Sequence, residues 1–179
     1  MTVPPIGPLH HFTVVCPDVD ASLAWYQRVL GARVVRAKRV SGSAASPGGF
    51  APVGIEVGGT VIDLFQADEN WQPYPGSGGQ HYAFPIKWED VDAWFAHLKE
   101  QGIDLMIHPA GEEFLSLYFD DPSGYHLELS LHSLDKELVR RERDRLMKTY
   151  GRVYHWEDGN RVPPGQPQGM WVKAPTSVS

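Results

Sequence analysis

The chain has 179 residues, 42% hydrophobic and 21% charged, enough for one domain with a sizeable core and an appendage. A formal charge of −6 implies no broad basic surface and argues against nucleic acid as a main partner, and no apolar run approaches a membrane span. The single cysteine, Cys16, excludes an internal disulfide and fits a reducing compartment. The opening MTVPPIGPLHHF lacks the basic start and apolar run of a signal peptide, so a cytoplasmic protein is expected.

In chain order, HFTVV from His11 alternates as a strand, with Phe12 and Val14 on the face a helix would cover. Asp18 and Gly31 then bracket a predicted helix with apolar positions at Leu23, Trp25, Tyr26 and Leu30. Strands follow over Arg33–Arg39 and Pro52–Val57, and a third ends at TVIDLFQ. Residues 67–78 form a Pro/Gly-rich connector. The pattern then starts again. HYAFPI from His81 is a strand, and Asp90 and Gly102 bracket a helix carrying Trp94, Phe95 and Leu98. Strands follow over Asp104–His108 and Phe114–Phe119, then Asp121-Pro122-Ser123-Gly124 turns the chain into a last strand. On that strand Tyr125, Leu127 and Leu129 share one face, while His126, Glu128 and Ser130 share the other. Residues 133–150 read as a helix with Ser133 as its cap and a stripe of Leu134, Leu138, Leu146 and Tyr150. An irregular tail follows, whose Tyr154, Trp156 and Trp171 would pack on the preceding domain, on a second subunit or over the cleft.

The chain therefore repeats a strand–helix–three-strand unit, and both copies carry Asp-Val-Asp-Ala at the helix start, at 18–21 and 90–93. The predicted fold is α+β: two paired βαβββ modules forming a curved mixed sheet around a metal cleft, helices outside. Module one spans 9–66, the linker 67–78 and module two 79–132, with a C-terminal helical and irregular extension over 133–179. The repeat sets His11 against His81 and Asp63 against Glu128, near strand ends and facing away from the helix side. A solvated outer face would explain a His–Glu alternation on one strand. Four such residues at equivalent places point instead to a cleft with a metal held by imidazole and carboxylate.

HFTVVCPDVDASLAWYQRVLG, HYAFPI and YFDDPSGYHLEL, in this order, resemble the vicinal oxygen chelate superfamily, which includes the glyoxalases, bleomycin resistance proteins and extradiol dioxygenases. The resemblance implies His11, His81 and Glu128 as metal ligands, with Asp63 in the second shell. Tyr118, ten residues before Glu128, and His108 upstream are similar to the signature of type I extradiol catechol dioxygenases. The single domain is similar to the L-DOPA 2,3-dioxygenases. What this implies is an Fe(II) enzyme that cleaves a small catechol with dioxygen; the sequence leaves the oligomeric state open, a homodimer being one option. Tyr118 would hydrogen-bond the substrate, and His108 or His126 would act as acid or base. Two alternatives stand beside it. One is a glyoxalase-type isomerase or thiol transferase using another divalent metal. The other is a metal-free binding or resistance protein, to which the two His and the Glu would bring nothing.

Overall fold

A computed structural model of the chain describes residues 7–37, 52–69, 72–73, 80–103, 105–107 and 111–150, and the backbone of 155–157 and 160–162. His108, the far ends of the strands predicted over Arg33–Arg39 and Asp104–His108, most of the connector, and the side chains of Tyr154, Trp156 and Trp171 lie outside the described residues. The chain divides into two units, Met1–Tyr74 and Pro75–Ser179, with the boundary inside the predicted linker.

The first unit runs β1 (His11–Cys16), α1 (Val19–Leu30), β2 (Arg33–Arg36), β3 (Val53–Val57) and β4 (Thr60–Gln66). Its sheet has the order β1-β4-β3-β2, parallel between β1 and β4 and antiparallel elsewhere. Parallel neighbours need a long connection, supplied here by α1 and the β2–β3 pair. In β1, Val14 and Cys16 are fully buried while His11 is exposed, as alternation predicts. α1 buries Trp25, Tyr26 and Val29 and packs on β3 and β4. Asp18 accepts from the Ala21 N–H at 2.9 Å, and Gly31 closes the helix in the left-handed region at φ 65°. The β3–β4 hairpin turns on two glycines, Gly58 at φ 56° and Gly59 at φ 85°. A two-residue loop that matches strand twist needs positive φ at both places.

The second unit repeats the order: β5 (Tyr82–Pro85), a 3-10 turn (Trp88–Asp90), α2 (Val91–Glu100), β6 (Met106–Ile107), β7 (Phe114–Asp120) and β8 (His126–His132). Its sheet order is β5-β8-β7-β6, again with the first and last strands parallel. Asp121, 5% exposed, holds the β7–β8 turn by accepting from the Ser123 and Tyr125 N–H groups at 2.8 and 2.9 Å. Leu127, Leu129 and Leu131 form the apolar face of β8. The predicted α+β class and the two βαβββ modules are thus present.

Four local expectations are corrected. Asp90 makes no capping hydrogen bond, because the 3-10 turn runs directly into α2 and Val91 N–H donates to Trp88 O. The C-terminal helix, α3 (Lys136–Tyr150), is capped by Asp135 rather than Ser133. Asp135 accepts from Glu137 N–H and Leu138 N–H at 3.1 and 3.0 Å, while Ser133 Oγ accepts from Asp135 N–H. The buried stripe of α3 is Val139 and Leu146, and Leu134 is 89% exposed ahead of the helix. α3 packs on β7 and ties to α2: Asp92 accepts from Arg145 at 3.0 Å and Tyr150 at 3.1 Å, and the Phe95 and Tyr150 rings stack at 4.2 Å. Beyond it, where an irregular tail was expected, the backbone pairs β9 (His155–Glu157) with β10 (Asn160–Val162); three residues a side is too short for a legible alternation. No helix among the described residues is long and apolar enough to cross a membrane.

The matching Asp-Val-Asp-Ala sequences should therefore differ energetically. Asp18→Ala should lower stability by about 1 kcal/mol through its lost cap. Asp90→Ala should change it by less than about 0.5 kcal/mol, as an exposed site without a cap bond. Urea unfolding of the two variants checks this.

Candidate functional site

β8 places Glu128 on the face opposite its leucines, and the two neighbouring strands add to that face. Across the antiparallel pair Tyr118 sits opposite Glu128 and Asp120 opposite His126; across the parallel pair Ala83 sits beside Glu128. His81, two residues before Ala83, falls on the same face at the start of β5. The face is exposed at Ala83 and Asp120 but buried at its centre. Glu128 is 4% exposed and Ser116 1%.

A buried carboxylate is costly unless its lone pairs are met. Here Ser116 Oγ donates to Glu128 Oε1 at 2.7 Å, and His81 Nε2 lies 2.8 Å from Oε2. The His81 and Tyr118 rings meet edge to face at 5.2 Å. Burial, and then the charge of Glu128, push the Tyr118 hydroxyl up to about 12. It is therefore a neutral donor at ordinary pH. His126 is held separately, its Nδ1 2.6 Å from Asp120 Oδ1. A carboxylate can only accept, so this contact orients the ring with an Nδ1 proton towards Asp120.

In the first unit His11 is exposed at the start of β1, with its Nδ1 2.9 Å from His10 Nδ1. Asp63 lies two residues along the neighbouring strand, opposite Thr13 and Gly54. It is 7% exposed and its Oδ1 is engaged by the Arg36 guanidinium, which lies across Gly54. A Cβ on Gly54 would come within 3.0 Å of Arg36 Cβ, so glycine leaves the room for this crossing. An Asp so paired fits a supporting position better than a ligand's.

The structure thus brings His81, Glu128 and Tyr118 together and puts His126 further along the same strand face. His11 and Asp63 belong to the first unit, and His108 is outside the described residues. Among the described residues no group of three or more His, Cys, Asp or Glu side chains is gathered to hold a metal. Sequence reasoning missed Ser116, Asp120 and Arg36. Ser116 and Asp120 were legible in principle, two residues either side of Tyr118 and so on its face. Arg36 carried no such signal. A cavity of about 430 Å³ lined by Phe95, Lys99, Ile103, Leu105, Thr149 and Tyr150 opens near the C-terminal ends of α2 and α3, and none of these residues is a candidate ligand.

The raised Tyr118 value has a measurable consequence. With a folded value above the ordinary 10.0, Tyr118 supports the fold fully below pH 10 and loses that contribution as pH rises towards about 12. Absorbance titration should show one tyrosine ionising near pH 12 that disappears in Tyr118→Phe. In Glu128→Gln it should fall, yet stay above the ordinary value, because burial remains the larger cause.

Comparison with known proteins agrees with this architecture. Residues 8–129 match the family described as the Glyoxalase/Bleomycin resistance protein/Dioxygenase superfamily. A glyoxalase domain-containing protein of Mycosarcoma maydis is 31% identical over 130 residues, 68% of this chain and 66% of that protein's length. A protein of Serratia marcescens named glutathione transferase FosA is 26% identical over 131 residues, 73% of this chain and 85% of that protein. Among solved structures, the fosfomycin resistance protein FosX of Listeria monocytogenes, complexed with Mn(II) and 1S,2S-dihydroxypropylphosphonic acid, superposes with a TM-score of 0.58. That match has 22% identity and covers 74% of this chain and 96% of the other, and it speaks for the fold alone. With the family match covering most of the chain and the two βαβββ modules in place, the protein belongs to the glyoxalase, bleomycin resistance and dioxygenase superfamily.

Proposed function

We propose that the protein is a divalent-metal enzyme that adds a thiol to a small electrophilic substrate, with His11, His81 and Glu128 holding the ion. The observation that carries the metal site is the 2.8 Å approach of His81 Nε2 to Glu128 Oε2. Two metal–ligand bonds of about 2.1 Å at a right angle leave their donor atoms about 3 Å apart. Imidazole nitrogen and carboxylate oxygen suit Mn, Fe or Zn, and His11 is the third ligand that the likeness to the superfamily implies. What supports thiol transfer over oxygen chemistry is the Serratia marcescens relative, which bears the name of a glutathione transferase.

A bound divalent ion would supply Lewis-acid polarisation of a substrate oxygen. The chain's own residues supply the rest. Tyr118, held neutral, donates a hydrogen bond to that oxygen from beside Glu128. His126, oriented by Asp120, would take at Nε2 the proton of the incoming thiol as its sulfur bonds to the electrophilic carbon and that carbon's bond to the polarised oxygen breaks. It would then give the proton to that oxygen. Asp63 and Arg36 hold the sheet face that carries His11.

Ring cleavage of a catechol by Fe(II) and dioxygen remains the second reading, favoured by one observation: Tyr118 stands opposite Glu128 beside His81. The two readings separate in one experiment. The purified chain, loaded with Mn(II), is given glutathione and fosfomycin as a probe epoxide; loaded anaerobically with Fe(II), it is given a catechol panel and oxygen. Thiol adduct without oxygen uptake supports thiol transfer. Oxygen uptake with ring-opened product and no adduct moves the protein to the second reading.

Two substitutions test the residues. His81→Ala should abolish stoichiometric metal binding while circular dichroism stays native; a full metal equivalent in that variant would remove His81 from the ligand set. His126→Ala should keep the metal and lose about 10²-fold or more in turnover. Unchanged turnover would leave the Asp120–His126 pair a structural cross-strand bond.

A further inference from the structure

We propose that Ser116 is the positioning residue of Glu128, occupying Oε1 so that Oε2 alone is presented to the metal beside His81. The inference rests on the metal-site reading above and adds to it how the carboxylate is held. A serine hydroxyl has one proton to donate, and Ser116 commits it to Oε1 at 2.7 Å. The other oxygen, Oε2, faces His81 Nε2 at 2.8 Å. The two oxygens thus have different partners on different strands, which fixes both the plane of the carboxyl group and which oxygen points at the imidazole.

The location of Ser116 argues for this role. It is 1% exposed, so its hydroxyl gains nothing from solvent. It lies on β7 between Phe114 and Tyr118 on the same face, registered against Ser130 and diagonal to Glu128. An apolar residue would fill such a place in a strand, and would take from Oε1 the donor that stands at 2.7 Å. With Oε1 taken, Glu128 binds an ion through one oxygen, and a further position on the metal stays open for substrate. Hydrogen-bond partners of metal-binding carboxylates tune affinity in this way without touching the ion.

The test uses the full chain and the isosteric pair Ser116→Thr and Ser116→Val, which differ only in the hydroxyl. Mn(II) affinity is measured by calorimetry, with the visible absorption of the Co(II)-loaded protein as a readout of coordination. Ser116→Val should bind Mn(II) about 10–100-fold more weakly and change the Co(II) spectrum, since the carboxylate is freed to bind through both oxygens. Ser116→Thr should stay close to the parent in both. Equal behaviour of the two variants, whether both weakened or both unchanged, would overturn the proposal, because the hydroxyl would not be the cause. Glu128→Gln and His81→Ala, run alongside, separate the two levels. If they keep Mn(II) affinity, the metal-site reading falls and takes the Ser116 role with it. If they lose it while Ser116→Val does not, only the Ser116 role falls.

Discussion

The parallel pairing of first strand with last strand in each unit is the constraint on which the rest depends. It is made by β1 with β4 and by β5 with β8. An antiparallel hairpin could place neighbouring strands side by side with a two-residue turn, but parallel neighbours require the chain to travel the length of the sheet and return. The helix and two intervening strands are that journey. The result is that residues far apart in sequence share a face: Thr13 with Asp63 in the first unit, Ala83 with Glu128 in the second. His81 reaches Glu128 only because of this register. A slip by one residue would send Glu128 among the leucines of the core and Leu127 or Leu129 to the polar face.

Burying Glu128 has its own consequences. A carboxylate withdrawn from water needs hydrogen-bond partners, and Ser116 and Tyr118 on β7 and His81 just before β5 meet Glu128. The same charge, set in a low-dielectric place, acts strongly on what stands opposite it. Tyr118 is held neutral there by burial first and by Glu128 second. In the proposed metal site, an ion would meet a carboxylate and an imidazole already converged.

The two modules share a fold and differ in wiring. Asp63 and Glu128 occupy matching positions on β4 and β8, yet Asp63 is engaged by Arg36 across Gly54 while Glu128 is engaged by a serine and a histidine. A guanidinium neutralises its carboxylate and competes with a cation for it; a hydroxyl leaves the charge in place. The repeat has thus diverged in how each half holds its matching carboxylate, and the capping residues Asp18 and Asp90 have diverged as well.

The sequence by itself determined the element order, the duplication, the polar and apolar faces of each strand, and the pairing of His81 and Glu128 as candidates. These follow from periodicity, turn chemistry and residue type, which are local properties. It did not determine that the polar face of β8 is buried, because alternation distinguishes two faces without saying which is wet. It placed the cap of the last helix at Ser133, where Asp135 acts, since both residue types cap well and only backbone geometry separates them. The partners Ser116 for Glu128, Asp120 for His126 and Arg36 for Asp63 were decided by cross-strand register, which brings together residues 12, 6 and 27 positions apart. Register is a property of the folded sheet, and one strand read alone cannot carry it.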